Sequence, residues 1–194
     1  MNCSLKLRNL LITLVLMGLA ALPKVAAQSP AGTPDAKTVN DFEARAKQYL
    51  DFRQKVAGKP PKPSNTPDAI VSKQHELGDK VRVARAGAMP GEVFTPEIAQ
   101  YFRQRIAACF AGPHGNEIRA SLRHAEPVKM ELQINQSYPE SVPLQSTPPT
   151  LLLNLPALPD GLEYRILDSE LVLRDTQANI VVDYIPNALP ALGK

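Results

Sequence analysis

The chain has 194 residues, with 22 Lys/Arg against 19 Asp/Glu, 19 prolines, no tryptophan and two cysteines. Residues 1–27 hold Lys6, Arg8 and Lys24 and no acid, so the remainder carries 19 of each sign. Balanced charge argues against nucleic acid or a membrane surface held by bulk electrostatics. Beyond residue 27 Cys109 is the only thiol, which leaves no internal disulfide and makes burial the basis of the fold.

The first segment reads as a targeting signal. Lys6 and Arg8 precede residues 10–22 (LLITLVLMGLAAL), an uncharged run of 13 residues that Pro23 ends. Roughly 20 apolar residues are needed to cross a hydrocarbon core, so this run is too short to span one. Val25, Ala26 and Ala27 then offer the small residues a signal peptidase reads before Gln28. The expectation is a cleaved signal peptide at 1–27 and a mature protein in the periplasm or outside the cell, with no membrane span.

Residues 28–37 are rich in Pro, Ala, Gly and Thr, the composition of a flexible leader. Helices are expected across 38–125. Val39, Phe42, Ala46, Tyr49, Phe52 and Val56 recur in steps of three and four, one apolar stripe of a helix that Gly58 stops. Glu43 with Lys47 and Asp51 with Lys55 are spaced as i,i+4 ion pairs on its wet side. Residues 59–67 (KPPKPSNTP) form a stiff linker. Thr66 as cap and Pro67 at the first helical position begin a second helix. Its expected inner arc is Ile70, Leu77, Val81 and Ala84, with Gly78 weakening it. Thr95, Pro96 and Glu97 repeat that start for a third helix, whose inner face is Ile98, Tyr101, Phe102, Ile106 and Cys109 and which residues 111–113 close. A short fourth helix spans about 116–124.

From Val128 the period becomes two. Val128, Met130, Leu132 and Ile134 alternate with polar residues, as in a half-buried strand. Residues 138–159 hold six prolines, a stiff connection in which 151–155 (LLLNL) reads as an edge strand or a covered extended segment. Leu162, Tyr164 and Ile166, then Leu171 and Leu173, then Ile180, Val182 and Tyr184 are expected to face inward. Turns at Asp168-Ser169 and 176–179 complete a three-stranded meander. Helices first and strands later mean an α+β fold: helices packed on a small antiparallel sheet over 126–194, one domain with the helical part.

The spacing Cys109-x4-His114-x2-Glu117, with His124 beyond, holds a soft ligand, two imidazoles and a carboxylate, a set that zinc or nickel accepts. Against it, Cys109 lies on an apolar arc, where a thiol is usually inert. His114 falls in a Gly-Pro-His-Gly turn, and catalysis by a Cys–His pair needs a polar, reachable thiol. His75 is expected to face water. Arg82, Arg85, Arg103, Arg105, Arg119 and Arg123 make the helices Arg-rich, which reads as helix solvation with ion pairs to the acidic strands. No nucleophile elbow, phosphate loop, paired-Cys zinc pattern or calcium loop is present in the sequence.

Residues 158–185, with Pro159, Gly161, Tyr164 and Arg165 leading into two strands, resemble a family of exported bacterial proteins of unknown function. The same stretch is similar to the terminal hairpin of periplasmic nickel/cobalt-homeostasis proteins. What the resemblance implies is an envelope location and a structural hairpin, not an activity. The reading of the whole is an exported, non-enzymatic interaction or accessory module with an envelope protein as partner and no cofactor. The alternative is a periplasmic metal or small-ligand binding protein using His114, Glu117 and His124.

Overall fold

The computed structural model describes residues 34–59, 66–124, 131–138 and 147–191. The signal segment, leader residues 28–33, linker residues 60–65, Val128 and Met130 of the expected strand, and residues 139–146 of the Pro-rich connection lie outside the described residues. What is described belongs to one compact unit. It is α+β, as the change of period predicts: α1 (Pro34–Ala57), α2 (Pro67–Ala84), α3 (Pro96–Ala111), α4 (Gly115–His124) and α5 (Pro149–Leu152), followed by β1 (Leu162–Leu167), β2 (Glu170–Asp175) and β3 (Ile180–Ile185). The strands form one antiparallel sheet in the order β1-β2-β3. Among the described residues, no helix is long and apolar enough to cross a membrane.

One face of the sheet and the helices share the main core. Leu162, Tyr164, Ile166, Leu171, Leu173, Ile180 and Val182 meet Phe42 and Ala46 of α1, Val81 of α2, and Ile98, Phe102 and Ile106 of α3. At its centre the rings of Phe42, Phe94, Phe102 and Tyr164 pack with centroids 5.0 to 6.4 Å apart. Such contacts add about 0.5–1.5 kcal/mol per pair beyond the area they bury. The sheet's other face is covered by residues 131–138, where Leu132 and Tyr138 pack on Leu167, Val172 and Val181.

Several local expectations are corrected. α1 starts at Pro34, inside the expected leader, with Pro34 at a first-turn position where no hydrogen bond is lost. Lys47 reaches forward to Asp51 at 2.6 Å, and Arg45 back to Asp41 at 3.1 Å. Thr66 occupies the cap position of α2 without a side-chain capping bond, whereas Thr95 Oγ1 accepts from Ile98 N–H as expected. In place of an extended segment at 151–155, Pro148 and Pro149 preset the backbone for a helical turn. That turn buries Leu151 and Leu155 and leaves Leu153 85% exposed. Residues 131–138 form a turn with an isolated bridge, Ser137 to Ile180, rather than a strand. Asn135 explains this. It is left-handed at φ 64°, and its side chain donates to Arg85 O at 2.7 Å and accepts from the Arg85 guanidinium at 2.9 Å.

β3 holds the largest surprise. The pairing register shifts between Leu173 and Arg174: Leu173 faces Asp183, Arg174 faces Val181, and Val182 is the extra residue of a bulge. Strict alternation puts Tyr184 inside and Asp183 outside. The bulge exchanges them: Tyr184 joins the outer cluster and Asp183 becomes fully buried on the helical side.

Candidate binding groove

Two buried carboxylates tie the helical layer to the sheet. Asp183 accepts from Gly91 N–H at 2.9 Å and Tyr184 N–H at 2.8 Å on one oxygen, and from Val93 and Phe94 N–H, both at 2.8 Å, on the other. It thereby fixes the loop that delivers Phe94 to the aromatic cluster. Asp175 accepts from Tyr49 Oη at 2.7 Å, from Arg53 at 3.0 Å and from Gln177 and Ala178 N–H at 2.8 and 3.0 Å. Burial, with the Asp175 carboxylate beside it, pushes the Tyr49 hydroxyl far above its ordinary range. The Gly161 of the hairpin motif serves this second tie. Its φ is +93°, and a Cβ there would stand 2.9 Å from the Arg53 guanidinium.

The sequence candidates for metal separate into a pair and an outlier. His114 Nδ1 and Glu117 Oε2 lie 3.0 Å apart, with both side chains more than half exposed. His124 is exposed in the last turn of α4. Among the described residues, no group of three or more His, Cys, Asp or Glu side chains is placed to hold a metal ion. Cys109 shares a cleft of about 290 Å³ with Arg105, His114, Ile118 and Asn154. Burial raises its thiol above the usual range despite the opposing pull of Arg105, which is the reverse of what an activated nucleophile needs. His75 is exposed, as its angle on α2 predicts.

The Arg-rich faces are largely engaged within the chain. Arg82 meets Asp79 and Ser137, Arg103 donates to Pro186 O, and Arg119 lies over the Phe110 ring. Arg85 is 8% exposed and holds Glu92, Asn135 and the Val182 carbonyl. Among the described residues, an ion pair from helix to strand joins Arg53, a residue outside the Arg-rich set, to Asp175.

The feature that sequence reasoning missed is a groove between α1 and α2. Its origin is Gly78. A Cβ at that position would stand 2.7 Å from Ala178 O, so α2 rides directly on the β2–β3 turn, and Gln74 Nε2 donates to Thr176 O at 2.7 Å beside it. This contact rotates α2 so that Gly78, Val81 and Arg85 face inward. Ala84 of the expected arc is exposed, and Ile70 is 54% exposed. Leu77 stays half-buried. Ile70, Leu77, Leu50 and Ala57 then line a groove of about 910 Å³, within the range of about 300–1,000 Å³ of ligand pockets. Lys47, Arg53, Lys59, Lys73 and Lys80 line it with two carboxylates, Asp51 and Glu76, and Arg53 is already committed to the buried Asp175. Both carboxylates already face lysines: Asp51 bonds Lys47, and Glu76 bonds Lys80 at 2.6 Å. That Lys80 bond holds the Glu76 carboxyl below its usual range. The groove is therefore apolar below, with a charged rim in which Lys47, Lys80 and Arg53 are paired within the chain.

No protein-family model, curated protein or solved structure matches the chain. The functional reading accordingly rests on the site itself.

Proposed function

We propose that the protein is an exported envelope protein working as a non-catalytic interaction module, and that it docks a partner chain carrying apolar and acidic side chains in the α1–α2 groove. Export rests on the N-terminal pattern of basic residues, short apolar run and small-residue exit. The observation that carries the docking reading is the groove: an apolar floor of Leu50, Ile70 and Leu77 inside a rim of five cations, of which Lys47, Lys80 and Arg53 are paired with Asp51, Glu76 and the buried Asp175. A large side chain left half in water costs about 25 cal/mol per Å² of apolar surface, which a partner's apolar residues recover on docking. Lysines around such a floor favour carboxylates in the partner and disfavour cations, giving orientation as well as attraction.

The test is photo-crosslinking in the native envelope, with the reactive group placed at Ile70 inside the groove or at Val83, which is 79% exposed away from it. The reading expects a discrete adduct from position 70 that disappears when Lys73→Glu and Lys80→Glu are combined, and none from position 83. An adduct from position 70 that is indifferent to the charge reversal overturns it, as does equal labelling from both positions. The same material expects Gln28 as first residue by mass spectrometry.

A further inference from the structure

We propose that the first half of α2 is a movable wall of the groove, which winds onto the protein and unwinds from it with Gly78 as the last fixed point. The burial pattern along the helix carries this. From Pro67 to Leu77, eleven residues, none is buried: Ala69, Lys73, Gln74 and Leu77 are half-buried and the others exposed. From Gly78 onward the helix is anchored. Gly78 and Val81 are buried within it, and Arg85 at its end holds Asn135, Glu92 and the Val182 carbonyl. Gly78 is also the point of closest approach, where a Cβ would stand 2.7 Å from Ala178 O. One continuous helix thus joins a docked half to a half that gains little from the core.

The junction between the halves is weak in itself. Glycine is the poorest helix former after proline. The Glu76–Lys80 pair that spans it is exposed on both sides, where water and salt screen an ion pair. What holds the first half down is the 2.7 Å bond from Gln74 to Thr176 O and the partial packing of Leu77 on the core. Helices shorter than about 12–15 residues are marginal in water without packing. Eleven residues released from this contact therefore lose their helical form rather than swing away as a rod. The facing wall is held differently, since Tyr49 and Arg53 of α1 both bond the buried Asp175.

One wall of the groove is thus permanent and the other forms and dissolves. Ile70, Lys73, Gln74 and Leu77 line the groove in the wound state, so whatever seats against them shifts the population toward winding by its preference for that state. The device belongs to the fold whatever the groove holds, and its test uses the protein alone, apart from the crosslink that tests docking.

Native-state amide exchange on the whole protein reads the opening residue by residue. The amides of 71–77 are expected to show at least tenfold lower protection than those of 81–85. Ser72→Pro supplies the second measurement. Proline at this exposed position would ruin a helix half that the core depends on. Here it should lower Tm by less than about 5 °C and leave the 81–85 amides as protected as before. Equal protection from 71 to 85 would make α2 a single unit and overturn the proposal. A Ser72→Pro protein that fails to fold, melts lower than that margin or loses protection at 81–85 overturns it as well.

Discussion

Replacing Asp183 by Asn isolates what one buried carboxylate does for the whole helical layer. The side chain keeps its shape, but one acceptor oxygen becomes an NH2 group facing two main-chain N–H donors. In the native protein all four contacts to Asp183, from Gly91, Val93, Phe94 and Tyr184, are donors at 2.8 to 2.9 Å. Whichever way the amide turns, a pair of donors is left without an acceptor. Each buried donor left unpaired costs about 1–3 kcal/mol, so the expected loss is about 3–4 kcal/mol. That is a large share of the roughly 5–15 kcal/mol that holds a typical domain together. At about 3 °C per kcal/mol for a chain of this length, Tm falls by about 10 °C. Chemical denaturation supplies the free energy, and amide exchange locates it: the Val93 and Phe94 amides should lose protection first. A loss under about 1 kcal/mol, with both amides still protected, refutes the idea that this carboxylate fixes the loop beneath the aromatic cluster.

Gly78→Ala should destabilise although alanine favours helix by about 1 kcal/mol, because its methyl would press on the Ala178 carbonyl; overpacking of this kind costs about 1–3 kcal/mol, and a rise in Tm would refute the close approach. For Glu163, burial alone raises the carboxyl, but hydrogen bonds from Arg165 and Arg174 outweigh it and hold the group below its usual range. A depressed carboxylate contributes its stability above the unfolded pKa of about 4.3 and loses it as pH falls through the folded value. Glu163→Gln should therefore cost about 1 kcal/mol at pH 7, solvent reaching a quarter of the native side chain. The deficit should shrink steadily below pH 4; a difference constant from pH 7 to pH 2 would exclude this linkage. Nickel, cobalt or zinc in large excess should leave Tm unmoved, since His114 and Glu117 form an exposed pair; an upward shift that saturates with metal would identify a site there.

The strongly periodic elements were legible from the residues. The stripe from Phe42 to Tyr49, the Thr95-Pro96 start of α3 and the meander all lie where spacing puts them, because burial of one face is what those patterns encode. The failures share a cause. Alternation and helical arcs describe an element against a generic core and carry no information about a specific partner atom. Gly78 looked like a weakness in α2, yet it sets the rotation that turns Ile70 outward and opens the groove. Alternation puts Asp183 on the solvent side, and nothing in the spacing names the partners of Asp175 and Asp183, which are Tyr49 and the amides of 91–94, some 90 to 126 residues away in sequence. Asn135 turned an alternating stretch into a corner through its bond with Arg85. The groove was not legible at all, since it exists only between two elements and each wall alone reads as an ordinary amphipathic helix.

The surplus residue in β3 has a consequence for length variation among chains built this way. Removing Val182 alone would leave Asp183, Tyr184 and Ile185 on their present sides by plain up-and-down order, so the ladder itself would survive the shortening. What would be lost is the off-register carbonyl that the Arg85 guanidinium grips at 3.3 and 3.4 Å. The damage from a one-residue deletion in a strand would thus appear at the far end of a helix, where α2 hands the chain to the loop beneath the aromatic rings.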